Sequence, residues 1–131
     1  MKKIFLVLIV LSLSLSACGK GGATTKLNIT MKEFAYEPMD NQVKAGTDIT
    51  LKIKNEGAVI HEYVIMKEGL SAGNEFGPED EENIYWEVEV EPGESKTVTF
   101  TSPSNPGYYE IVCGTEGHLA AGMRGVLTVV E

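Results

Sequence analysis

The sequence predicts an all-β protein, a Greek-key β-sandwich or barrel of about seven to eight strands. Three observations point there. Apolar and polar residues alternate with period two in short runs such as Leu27 to Met31 and Asp48 to Lys54. Glycine, proline and asparagine clusters punctuate those runs, as at Lys44 to Thr47, Glu91 to Glu94 and Ser102 to Gly107. Sustained apolar spacing of the helical kind, at intervals of three and four, is scarce.

From the N-terminus, Met1 to Lys3 is a basic start. Ile4 to Leu15 is an apolar run broken by Ser12 and Ser14, and small residues lead on to Cys18. This is the plan of a secretory signal peptide, expected to occupy residues 1–17 and be removed, and the run is short for a membrane span of about 20 residues. Leu15-Ser-Ala-Cys18 resembles the lipobox of bacterial lipoproteins, which makes Cys18 the expected lipidation site. The protein is then exported and held by lipid on a bacterial membrane, facing the periplasm or cell exterior. Residues 18–25 follow as a Gly-rich tether and 26–131 as a single domain.

Leu27 to Met31 opens that domain as a half-buried strand, and Asp48 to Lys54 repeats the pattern with Ile49, Leu51 and Ile53 on one face. His61 to Met66 and Ile84 to Val90 come next, the latter strengthened by Tyr85 and Trp86. Lys96 to Phe100, Tyr108 to Val112 and Gly125 to Val130 complete the set. Lys67 to Asn83, rich in glycine and acid, reads as a solvated loop with room for one helical turn after Pro78. Its alternative role is an acidic docking patch for a basic redox partner. Processing would remove Lys2 and Lys3 and take the net charge from −8 to −10, a balance that repels nucleic acid.

The chemistry concentrates near the C-terminus. Cys113, His118 and Met123 stand with four residues in each gap, between two apolar strand-like runs. Thiolate, imidazole and thioether together favour copper over zinc or iron, because soft sulfur holds Cu(I) and imidazole serves both oxidation states. His61, the chain's other histidine, would complete a His₂Cys trigonal set with methionine as a weak axial ligand. With Cys18 lipidated, Cys113 is a lone cysteine in an exported protein, which fits a metal-held thiolate. A Cys18–Cys113 disulfide is the alternative.

Three segments carry a resemblance to the cupredoxins, the type 1 blue copper family of plastocyanin, azurin and the phytocyanins. They are Asn55 to His61, Gly107 to Cys113, and Gly117-His118 followed by Gly122 to Val129. The two four-residue gaps are similar to the phytocyanin and rusticyanin pattern. The resemblance implies one copper ion, with His61, Cys113 and His118 as equatorial ligands, Met123 as the long axial one, and the Ile60 carbonyl placed for a further weak contact. It also implies an exposed His118 edge, collared by Leu119, Ala120 and Ala121, as the electron exit. Two positions depart from the family: Glu62 and Gly114 stand where Asn and Ser or Thr commonly lock the two ligand loops, leaving Thr115 as the substitute.

The expected function is a monomeric, membrane-anchored one-electron carrier between redox proteins such as cytochromes or a copper or haem oxidoreductase. The rival is a copper carrier or storage lipoprotein. An enzyme is not expected, since two histidines cannot build a histidine-only copper centre beside this one.

Overall fold

A computed structural model describes residues 22–131, and the expected signal peptide and Cys18 lie outside that range. Among the described residues the chain forms nine strands and one short 3₁₀ turn. In order they are β1 (Lys26–Lys32), β2 (Ala35–Glu37), β3 (Asp40–Lys44), β4 (Asp48–Asn55), β5 (His61–Met66), β6 (Ile84–Val90), β7 (Ser95–Thr101), β8 (Gly107–Val112) and β9 (Arg124–Val130). The 3₁₀ turn, Glu81–Asn83, falls after Pro78. No helix among these residues is long and apolar enough to cross a membrane.

Two sheets pack face to face. One has the order β2-β1-β4-β7 and the other β3-β9-β8-β5-β6. The period-two pattern does what alternation requires: Leu27, Ile29 and Met31 of β1 and Ile49, Leu51 and Ile53 of β4 turn inward, while their neighbours face solvent. From the second sheet Tyr63, Ile65, Tyr109, Ile111, Leu127 and Val129 meet them. Trp86 of β6 stacks on Phe100 of β7 with ring centroids 4.6 Å apart, joining the sheets along one side.

Two of the nine strands lie outside the seven runs named from the sequence. β2 has three residues with only Tyr36 buried, and β3, Asp-Asn-Gln-Val-Lys, buries only Val43. Their own composition is too polar and too short to register as strand. Each is an edge strand, β2 held by antiparallel pairing to β1 and β3 by parallel pairing to β9, more than 80 residues away in sequence.

The segment from Lys67 to Asn83 is also more than a solvated loop. Ala72 is buried and Phe76 packs with it against Val64, Met66, Val112 and Leu119, a second apolar cluster. Glu110 of β8 accepts the Ala72 N–H at 3.1 Å, and Arg124 of β9 donates to the Gly73 carbonyl at 2.8 Å. The acidic residues ride on a loop that is tied down next to the ligand-bearing end of the sandwich.

Candidate metal centre

The site is made where two neighbouring strands meet. β5 begins at His61 and β8 ends at Val112, and because they pair antiparallel, the start of one lies beside the end of the other. That topology brings His61 to Cys113 across 52 residues of chain. The loop from Cys113 to Met123 then curls back to supply His118. His118 N–H donates to the Thr115 carbonyl, Ala121 to Gly117, Gly122 to Leu119, and Met123 to His118, all at 2.9–3.0 Å. Cys113 N–H reaches the Met123 carbonyl at 3.3 Å and closes the loop. Gly117 (φ 79°) and Gly122 (φ 97°) take left-handed conformations that a Cβ would strain.

The three donor atoms converge. Nδ1 of His61 lies 3.1 Å from Nδ1 of His118, and Sγ of Cys113 lies 3.4 Å from His118 Nδ1 and 3.9 Å from His61 Nδ1. A triangle with those edges has a circumradius of about 2.0 Å, within the ordinary range of metal–nitrogen and metal–thiolate bonds. All three residues are buried. Met123, fully buried, belongs to the same apolar cluster as Cys113 and is fixed by its two backbone bonds to the loop. Two imidazoles, a thiolate and a thioether in a dry pocket fit one type 1 copper ion.

Electrostatics prepare the imidazoles for ligation. Burial pushes His61 below its ordinary pKa, with His118 adding to the effect, and burial does the same to His118. Both rings are therefore neutral at pH 7, with lone pairs free for a metal.

The two departures at Glu62 and Gly114 are resolved by geometry. The Glu62 backbone N–H donates to Cys113 Sγ at 3.4 Å. Its carboxylate folds over Gly114, where a Cβ would overlap it. Burial, then Glu87, Glu89 and Glu81, push this carboxyl above its ordinary pKa. Thr115 Oγ1 donates to the Ile60 carbonyl at 3.0 Å, so the loops of His61 and Cys113 are locked by a hydroxyl one position later. The Ile60 carbonyl is thereby engaged by Thr115.

Behind them Asn55, fully buried at the end of β4, shapes the turn that delivers His61. Its Nδ2 donates to Val59 O (2.8 Å) and Val90 O (2.9 Å), and its Oδ1 accepts the Gly57 N–H (2.8 Å).

The surface differs from expectation in two respects. Leu119 points inward, into the second apolar cluster, because the loop's helical turn puts it opposite Ala120 and Ala121, which stay exposed. His118 is only 7% exposed, and Phe34 meets its ring edge-on at a centroid distance of 5.2 Å. Phe34 and its neighbour Glu33, from the turn between β1 and β2, were not foreseen as site residues. One acid and one aromatic in a turn carry no periodic or spacing signal that separates them from ordinary surface.

A family model described as "Cupredoxin-like domain" matches residues 4–129. The chain is similar to auracyanin-A of Chloroflexus aurantiacus, at 31% identity over 94% of this chain and 93% of that one. It is also similar to barley (Hordeum vulgare) chloroplast plastocyanin, at 35% identity over 73% of this chain and 55% of that one. Among solved structures, the reduced auracyanin of Roseiflexus castenholzii superposes with a TM-score of 0.71 at 34% identity. That match covers 84% of this chain and all of that one.

Proposed function

The chain belongs to the cupredoxin-like family, whose members with these similarities include blue copper electron carriers, and on that premise we propose that it shuttles single electrons between redox partners. The observation that carries this reading is the buried triangle of His61, Cys113 and His118 donors. Those three would hold copper, with Met123 as the weak axial ligand, and the bound ion would supply a one-electron change between Cu(II) and Cu(I).

The residues around them do the rest. Hydrogen bonds within the Cys113 to Met123 loop, the Thr115–Ile60 lock and the Asn55 bracket hold the donors in one arrangement, which suits both oxidation states and limits rearrangement on electron transfer. The three donor residues are buried, which would slow exchange of a bound ion and favours a carrier of electrons over a carrier of copper. Val59, Ala120, Ala121 and Phe34 give the site's exterior a small, partly apolar surface of the kind transient redox encounters use. His118, with Phe34 against its edge, is the exit route. Both histidines are absorbed in this site, leaving none for a second, catalytic copper centre. Lipid on Cys18 would keep the carrier at the membrane, with cytochromes or a copper or haem oxidoreductase as partners.

Loading the purified chain with Cu(II) tests the proposal. An intense absorption band in the red, about one copper per chain and loss of the band in Cys113→Ala are expected. A colourless protein that gives up its copper to a weak chelator would refute it. For the anchor, a Cys18→Ala precursor should incorporate no lipid, and unchanged labelling would overturn that part.

A further inference from the structure

We infer that Glu33 is a positioning residue for the copper site: its carboxylate faces Nε2 of His61 across Gly57 and so fixes which ring nitrogen is presented to the metal. The inference rests on the copper reading of the His61, Cys113 and His118 donors.

Nε2 of His61 is fully buried and, among the described residues, has no hydrogen-bond partner. A buried ring nitrogen of that kind calls for an electrostatic counterpart. Glu33 Oε1 stands 3.8 Å away, in ion-pair range though longer than a hydrogen bond. A carboxylate at that distance favours a ring that turns N–H toward it and disfavours one that turns a lone pair toward it. With the proton on Nε2, Nδ1 is bare, and Nδ1 is the atom that faces Cys113 and His118. The carboxylate is itself pinned, because Glu33 Oε1 accepts the Ala58 N–H.

Gly57 supplies the independent observation. It is not among the glycines with positive φ, so backbone freedom does not explain it. A Cβ built there would lie 2.6 Å from His61 Nε2 and overlap Glu33 Oε1. The missing side chain is what lets carboxylate and imidazole face each other. The same β1–β2 turn sends Phe34 edge-on to His118, so one turn addresses both histidines.

Ligating histidines are commonly oriented by a partner on the other ring nitrogen, which also raises ligand basicity. Here that partner carries a full negative charge, which stabilises the more positive oxidised site. Glu33 is therefore a determinant of redox potential as well as of ring orientation.

Two measurements on the full chain, with Glu33→Gln and Glu33→Ala, test this. Gln keeps an acceptor for Ala58 and removes only the charge; Ala removes both. ¹⁵N spectra of the metal-free protein should show wild-type His61 protonated at Nε2, with that preference weakened in Glu33→Ala. In the copper-loaded protein Glu33→Gln should keep the red band and shift the Cu(II)/Cu(I) equilibrium about tenfold toward the reduced form, a rise of about 59 mV. Wild-type His61 protonated at Nδ1, or a Glu33→Gln potential within about twofold of wild type on the same scale, overturns the inference. Failure of the copper reading would look different: wild type would lack the red band, while the ring tautomer in the metal-free protein would still report on Glu33.

Discussion

Replacing Asn55 with alanine should both destabilise the domain and loosen the metal centre, because one buried amide holds the turn that carries His61. Its three hydrogen bonds, at 2.8–2.9 Å, tie β4 to the Gly57–Val59 turn and to the end of β6. The costs differ by partner. Val59 is 44% exposed, so water can replace the amide at its carbonyl. That leaves a net loss of about 0.5–1.5 kcal/mol for the bond, and Gly57 N–H, at intermediate burial, should behave alike. Val90 is fully buried, and leaving its carbonyl without the amide should cost about 1–3 kcal/mol. Together the expected loss is about 2–6 kcal/mol, centred near 4, which is on the order of 10–25 °C in Tm for a domain this size. Urea unfolding of the metal-free protein reads the first number, and the red absorption band of the copper form reads the second effect as broadening and faster copper loss. A destabilisation below about 1 kcal/mol with an unchanged band would refute the assignment of Asn55 as the bracket.

Two further predictions concern the metal-free protein. Both histidines are held below the ordinary value of 6.5, so the unfolded chain binds more protons as pH falls through that value. The stability linked to these rings should be fully present above about pH 6.5 and decline below it, toward their depressed folded values. Urea midpoints from pH 7.5 to 5, compared with a His61→Gln/His118→Gln variant to subtract the carboxylates, check this; parallel profiles would contradict it. Separately, the Tyr63 hydroxyl is buried without a partner among the described residues, and burial pushes its phenol far above the ordinary range. Tyr63→Phe keeps the edge-on contact with Tyr36 and should raise stability by about 1 kcal/mol, whereas a loss of that size in urea unfolding would show that the hydroxyl is satisfied.

Much of this protein was legible from local pattern. Alternation in β1, β4 and β9 reads directly because a strand with one buried face must repeat every second residue. Cys113, His118 and Met123 read as a ligand loop because they are close in sequence and chemically uncommon together. His61 was harder, since only strand pairing brings it to the others. β2 and β3 escaped because each is short and buries a single apolar residue, Tyr36 or Val43, and β3 takes its pairing from the distant β9. The inward turn of Leu119 followed from how the loop coils, which Gly117 and Gly122 permit but do not specify.

By itself, then, the sequence determined the donor chemistry and the all-β class, because these depend on residue type and short-range spacing. Only the tertiary structure decided that the donors form a triangle about 2.0 Å from a common centre. It also decided that Thr115 and Glu62 rebuild the lock between the loops, and that Glu33 and Phe34 flank the two histidines. Apart from the Cys113–His118 edge, those relations join residues 28 to 84 positions apart, and their distances are set by sheet register and core packing, which no local stretch of chain encodes.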